Sequence, residues 1–311
     1  IPAEALPPRA PAATTTFTDT LRTAFTAEGC VEAISWSFAA PDAVAALGGE
    51  STPHNTLKNP ISTELSVLRP TILASLLPLV RDALHRGETS GRLFEIAPVF
   101  AANGAQETQA CAVLWGDAAP LHWSGKPAAV DAFTAKSLLY TAAQLCGKPL
   151  DGLTPVTTNL PPYLHPGQSG SLSEINGCFG MLHPATSAAF DIKAPVSVVF
   201  FNPDTLNAYT PPLPALFQSS FQASSRDFAF LMPDSVQMAT LIKTLRSASP
   251  LIREVNLFDR YQGTGIPEGM LSAAIRIHVQ SAERTLSDKD IDETSTAITA
   301  AAATLGAALR G

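Results

Sequence analysis

Arginine is absent from a long stretch of this chain: none lies between Arg92 and Arg226, and from Gly170 to Leu216 the only lysine or arginine is Lys193. Binding nucleotide phosphates and a developing pentavalent phosphorus relies on such cations, so their absence argues against a phosphate site there. Cysteine is scarce too. Cys30, Cys111, Cys146 and Cys178 lie far apart with no C-x-x-C spacing, which argues against a zinc knuckle and a disulfide scaffold and reads as reduced thiols. The six histidines, His54, His85, His122, His165, His183 and His278, show neither H-x-x-H nor H-E-x-x-H spacing, and no serine sits in a G-x-S-x-G elbow. No apolar run reaches membrane-spanning length and no basic-then-apolar leader is present, so a soluble, cytoplasmic chain without membrane association is expected. Charged residues make up only 15% against 46% hydrophobic, which excludes a disordered chain.

What is present comes in two parts. The 311 residues suffice for two domains. The net charge of −7 is uneven: eleven Lys and Arg stand against seventeen Asp and Glu before Phe217, and nine against ten from there on. A nearly neutral second part still permits a local basic patch, because phosphate attraction is screened over about 8 to 10 Å. Weak nucleic-acid affinity of that part alone is the consequence.

Along the chain, residues 1–14 are expected to form a proline-rich linker, and Ile1 in place of methionine reads as a fragment. Phe17, Leu21 and Phe25 are four apart and predict a helix closed by Gly29. Val31 to Phe38 predicts a strand with Ile34, Trp36 and Phe38 on its heavy face. Leu76, Leu77, Val80 and Leu84 predict a helix, with Ser75 as N-cap and Pro78 in the first turn, where a missing amide costs nothing. Further strands are expected at Leu93–Phe100, Cys111–Trp115, Tyr163–Ser169, Gly177–Leu182 and Val196–Phe201, and a helix at Asp131–Cys146 capped by Asp131. Prolines between Asn202 and Leu216 mark a boundary, giving domains at 15–210 and 217–311.

The second part reads strand, helix, strand, strand, helix, strand. Arg226–Met232 is the first strand and Val236–Ser247 the first helix. In Ile252–Phe258 the residues Ile252, Glu254, Asn256 and Phe258 alternate against Arg253, Val255 and Leu257. A loop carrying Gly263, Gly265 and Gly269 leads to a second alternating strand, Ala273–Gln280. Ser287 with Asp290 three residues on predicts a helix N-terminus, and an edge strand closes the chain. Both helices on one sheet face make a ferredoxin-like α+β sandwich. The G-T-G-I-P-E-G run lies between two strands and opens no helix, so it is no phosphate cradle.

These residues carry a resemblance. Arg226-Asp227, Leu257-Phe258-Asp259 with Tyr261, Gly265-Ile266-Pro267-Glu268-Gly269 and Glu283-Arg284-Thr285-Leu286 resemble the ferredoxin-fold anticodon-binding domain of the bacterial phenylalanyl-tRNA synthetase beta subunit family. Independently, Asn59-Pro60-Ile61-Ser62 through Arg69, the Leu-rich helix, Arg92–Ile96, His122-Trp123, Lys136, Tyr163–Gly167 and His183-Pro184 resemble that subunit's class II synthetase-like module. Where the family often carries a lysine and then Phe-Pro, this chain has Ser220, Phe221 and Gln222.

The resemblance implies the C-terminal portion of a heterotetramer of two alpha and two beta chains that joins phenylalanine to tRNA(Phe) using ATP and magnesium. Catalysis then lies in the alpha subunit; this chain holds no catalytic residue, metal or cofactor of its own and contacts the anticodon region. A stand-alone RNA-binding or adaptor protein is the alternative, and a small-ligand sensor a third reading by fold analogy alone. With one sheet face open, Arg276 and His278 are expected to project from it, joined at the strand ends by Arg226, Arg253, Arg260, Tyr261 and Arg284, where guanidinium groups suit phosphates and Tyr261 a base. The structural alternative pairs Arg226 with Asp259 and has Arg284 hold the loop through its backbone.

Overall fold

Ala110–Trp115 and Val196–Phe201 are apolar at almost every position and not at alternate ones, the pattern of strands covered on both faces. The computed structural model, which describes residues 13–212 and 217–310, shows this. The chain divides into two compact units, Ile1–Pro212 and Leu213–Gly311.

The first unit runs α1 (Ala13–Ala27), β1 (Val31–Glu32), β2 (Phe38–Ala39), α2 (Pro41–Ala46), β3 (Val67–Leu68), α3 (Leu73–His85), β4 (Gly91–Phe100), β5 (Gln106–Trp115), α4 (Ala132–Leu145), β6 (Leu164–Leu172), β7 (Gly177–Leu182), α5 (Pro184–Ala189), β8 (Val196–Phe201) and α6 (Pro203–Ala208). Six strands form one sheet in the order β1-β4-β5-β8-β7-β6, antiparallel except where β1 joins β4. On one face Ala110, Ala112 and Leu114 of β5 pack with Leu21 and Phe25 of α1 and Leu138 and Leu139 of α4. On the other, Cys111, Val113 and Trp115 pack with Leu73, Leu76, Leu77 and Val80 of α3. Asp131 caps α4 as expected, in a reciprocal capping box with Thr134.

Three expectations are corrected. The segment 31–38 is not one strand but the short β1 and the start of β2, and the heavy side faces out: Ile34 and Trp36 are 94% and 66% exposed, while Ala33 packs on the core. β1 pairs only through Val31 and Glu32, and Ser35 points inward, where its hydroxyl donates to Glu95. α3 begins at Leu73, so Pro78 lies inside it and not in its first turn; Ser75 is no cap, because its hydroxyl accepts from Arg69 and donates to the Trp36 carbonyl. Asn202-Pro203 is not yet a boundary. Asn202 accepts from the amides of Asp204 and Thr205, Pro203 starts α6 at a position that needs no amide, and Leu206 is buried in the first unit. Of the expected linker, residues 1–12 lie outside the described residues, as does Pro214.

The second unit runs β9 (Ser224–Pro233), α7 (Met238–Arg246), β10 (Ile252–Tyr261), β11 (Met270–Val279), α8 (Asp288–Ala303) and β12 (Ala308–Leu309). Its sheet is antiparallel throughout, in the order β10-β11-β9-β12, the ferredoxin-like arrangement. Phe230, Met232, Ile275 and Ile277 point to one face, where Leu241 and Leu245 of α7 and Ile298 and Ala302 of α8 cover them. Ser287 and Asp290 form a capping box on α8. In the hairpin between β10 and β11, Gly265 and Gly269 adopt φ of +87° and +75°, which a side chain would strain.

Candidate nucleic-acid interface

Cross-strand partners in an antiparallel sheet share a face, so register sorts the candidate residues. Arg276 pairs with Asp227 and Asn256, His278 with Ser225 and Glu254, and Tyr261 with Ser272, all on the face that the helices leave bare. Arg226 stands opposite Ile277 and Arg260 opposite Ala273, which puts both on the helix-side face, at its margins. The seven candidates therefore do not form one surface. Strand ends curl side chains near one another in a sequence reading, but a one-residue difference in register reverses the face.

Arg276 holds Asp227 through two bonds, Nε to Oδ1 at 2.8 Å and Nη2 to Oδ2 at 2.7 Å, with both side chains about half exposed, 51% and 48%. The pairing lowers the Asp227 carboxyl and raises the Arg276 guanidinium from their ordinary values. Arg284 makes an equally close fork with Asp290, at 2.7 Å to each oxygen, not with the loop backbone. That contact first, and the Ser287 hydroxyl and amide next, hold the Asp290 carboxyl far below the usual carboxylate range. Arg253 lies 3.6 Å above the Phe217 ring and donates to the Gln280 carbonyl at 2.9 Å. Arg226 reaches only the Ser225 carbonyl, at 3.3 Å, and makes no pair with Asp259. Arg260 has no hydrogen-bond or ion-pair partner among the described residues. The Tyr261 hydroxyl donates to the Thr264 carbonyl at 3.3 Å, and the residue is 43% exposed.

Phe258, which alternation puts on the face of Glu254 and Asn256, is not among the seven candidates. Irregularities in register fall between Ile252 and Glu254 and between Leu257 and Asp259. The first lets Ile252 and Val255 both face the core, against the expected alternation. The second sets Asp259 opposite Ala274 and Arg260 on the helix-side face; Phe258, on the face of Asn256, is 57% exposed, with the Arg276 guanidinium carbon 5.5 Å from its ring centre. At the domain entry, where Ser220, Phe221 and Gln222 replace the family's usual residues, Ser219 donates to the Ser281 carbonyl and Gln280 to the Phe221 carbonyl, both at 2.6 Å.

The first unit contrasts with this. Arg69 is fully buried and forks onto Glu95, with Nη2 to Oε1 at 2.9 Å and Nη1 to Oε2 at 3.3 Å. It also donates to Ser35, Ser75 and the Pro98 carbonyl, while Ser35 donates to Glu95 at 2.6 Å. Arg92 is committed to the carbonyls of Glu28 and Ala118. Arg22, Arg81 and Arg86 each pair with a carboxylate. Every arginine among the described residues of this unit thus has a protein partner. Burial pushes the thiols of Cys30, Cys146 and Cys178 up to about 11, which keeps them unreactive. No group of three or more His, Cys, Asp or Glu among the described residues is placed to hold a metal, and no helix among them is long and apolar enough to cross a membrane.

The architecture is thus a three-layer module followed by a ferredoxin-like unit with one bare sheet face. Two family profiles match in this order: "Phenylalanyl tRNA synthetase beta chain CLM domain" over residues 1–202 and "Ferredoxin-fold anticodon binding domain" over residues 219–310. The chain belongs to the phenylalanine–tRNA ligase beta subunit family. The curated beta subunit of Novosphingobium aromaticivorans is 37% identical over 93% of this chain and 38% of its own length. That of Paramagnetospirillum magneticum is 36% identical over 91% and 37%, and that of Thiobacillus denitrificans 35% identical over 84% and 33%. The chain therefore spans less than two fifths of the length of these relatives. A solved pyrrolysyl-tRNA synthetase from Desulfitobacterium hafniense aligns with 63% of this chain and 68% of that chain, with a TM-score of 0.47 and 15% identity.

Proposed function

We propose that this chain is a non-catalytic part of a cytoplasmic phenylalanine–tRNA ligase, contributing to assembly with the catalytic alpha subunit, two of each in the complex, and binding the anticodon region of tRNA(Phe). The observation that carries the reading is the bare sheet face of the second unit, where Phe258, Tyr261, Arg276 and His278 stand uncovered while both helices occupy the other side. Aromatic rings beside cations suit unpaired bases next to phosphates. Arg260, unpaired at the hairpin end, lies at the helix-side margin and offers a phosphate contact at the edge of this face, not on it.

Assembly has its own support. Ile34 and Trp36, with Leu79 38% exposed nearby, leave apolar surface on the first unit that a partner chain would cover. ATP and magnesium belong to the assembled enzyme. The first unit's residues do not fit them, because its described arginines are already paired and its one buried guanidinium–carboxylate pair is closed to a ligand.

A tRNA footprint on the complex reconstituted with alpha subunit tests the assignment. Protection of the anticodon arm, lost on Arg260→Glu, is expected. Charging of tRNA by this chain without alpha subunit would overturn it, and an intact chain that never recovers an alpha subunit favours the adaptor alternative.

A further inference from the structure

Arg276 invites assignment as a phosphate contact, but its geometry argues for a different task. Asp227 takes two of its N–H groups, which fixes the guanidinium plane and leaves the pair with no net charge to offer a phosphate. The free surface of that plane lies against Phe258, at 5.5 Å from the ring centre, and Phe258 stands 57% exposed on the same bare face. Alternation with Glu254 and Asn256 puts the ring on this face, and the bulge after Leu257 brings Asp259 to the same face beside it, opposite Ala274. An aromatic ring held by a clamped guanidinium is a flat, rigid plate.

We infer that Asp227, Arg276 and Phe258 form a stacking plate for one unpaired base of the RNA loop, with Asp227 and Arg276 positioning the ring and not binding the backbone. The inference rests on the RNA-binding reading above. The surroundings favour a base over a protein side chain: the same face carries Asn256 and His278, polar groups suited to base edges, and its apolar neighbours Ala274 and Ala229 are small.

The test uses the 311-residue chain, a labelled hairpin with the anticodon-arm sequence of tRNA(Phe), and a set of the same hairpins each lacking one loop base. Affinity is read across a salt series. Phe258→Ala is expected to weaken binding of the intact hairpin by roughly 5- to 100-fold. Phe258→Leu recovers little of this, since it restores apolar area without a π-face. The loss disappears with the one hairpin whose missing base would have stacked. Arg276→Gln and Asp227→Asn weaken only hairpins that carry that base and leave the salt slope of log affinity unchanged, whereas losing a phosphate contact lowers the slope by about 0.7 to 0.9. Thermal unfolding of each variant checks that the second unit is folded.

A Phe258→Ala penalty equal for all hairpins overturns the plate, as does a lower slope for Arg276→Gln. If the unaltered chain binds well and is indifferent to Phe258, only the plate falls. If it binds no hairpin, the RNA reading falls and the plate with it. Normal RNA binding with lost alpha-subunit assembly in Phe258→Ala assigns the face to protein and also overturns it.

Discussion

Two arginine–carboxylate forks, one in each unit, have nearly the same bond lengths and opposite surroundings. In the first unit Arg69 and Glu95 are 0% and 5% exposed and are ringed by Ser35, Ser75 and the Pro98 carbonyl. In the second, Arg276 and Asp227 are half in water and touch an exposed aromatic ring. The buried pair is inaccessible to any ligand, yet it decides which way the segment 31–38 turns. The exposed pair contributes little to folding and shapes a surface. Burial, not the pair itself, therefore separates an arginine that builds the fold from one left at the surface.

The comparison can be broken most forcefully at Glu95. Glu95→Ala leaves Arg69 charged and unpaired inside the first unit, and a loss of about 3 to 5 kcal/mol is expected in denaturant unfolding of that unit. Replacing both partners together, Arg69→Met with Glu95→Leu, should cost much less, because no charge is stranded. If the single and double variants lose the same stability, the pair is not the organising contact. A smaller effect is expected at the α8 cap. Ser287→Ala removes the oxygen that satisfies the Asp290 amide and should cost about 0.5 to 2 kcal/mol, read as a lower unfolding midpoint of the second unit.

Next in size is a pH effect. Asp227 and Asp290 have carboxyls lowered in the folded state, so their contribution is present above the ordinary carboxylate range and is lost as pH falls through the folded values. Asp290→Asn should therefore flatten the acid limb of the second unit's stability curve. An unchanged limb would mean that the Arg284–Asp290 fork persists in the unfolded chain. The smallest change is expected from Asp227→Asn in thermal unfolding, where no resolvable shift should appear; a large one would make this exposed fork a structural pair like Arg69–Glu95.

Much of the architecture was readable because it depends on local rules. Leu21 and Phe25, the Asp131 and Ser287 caps, and the alternation through Ala273, Ile275 and Ile277 each follow from helix or strand geometry within a few residues. The candidate site was readable only in part. Arg276, His278 and Tyr261 reach the bare face, but Arg226 and Arg260 fall on the other, Arg260 because the bulge after Leu257 leaves no signature in composition; Phe258, on the face of Asn256, is not among the candidates. For Val31–Phe38 the alternation shows that two faces differ but not which one meets the core; the light one does.

By itself the sequence determined the main elements and their order, the capped starts of α4 and α8 and the scarcity of cations in the first unit, since each is written in neighbouring residues. Only the tertiary structure decided which guanidinium groups are consumed, which aromatic rings stay in water and which way Ser35 points. Those outcomes depend on partners such as Glu95, 60 positions from Ser35, and Asp227, 49 from Arg276, whose meeting is set by strand register and burial and by nothing local to either residue.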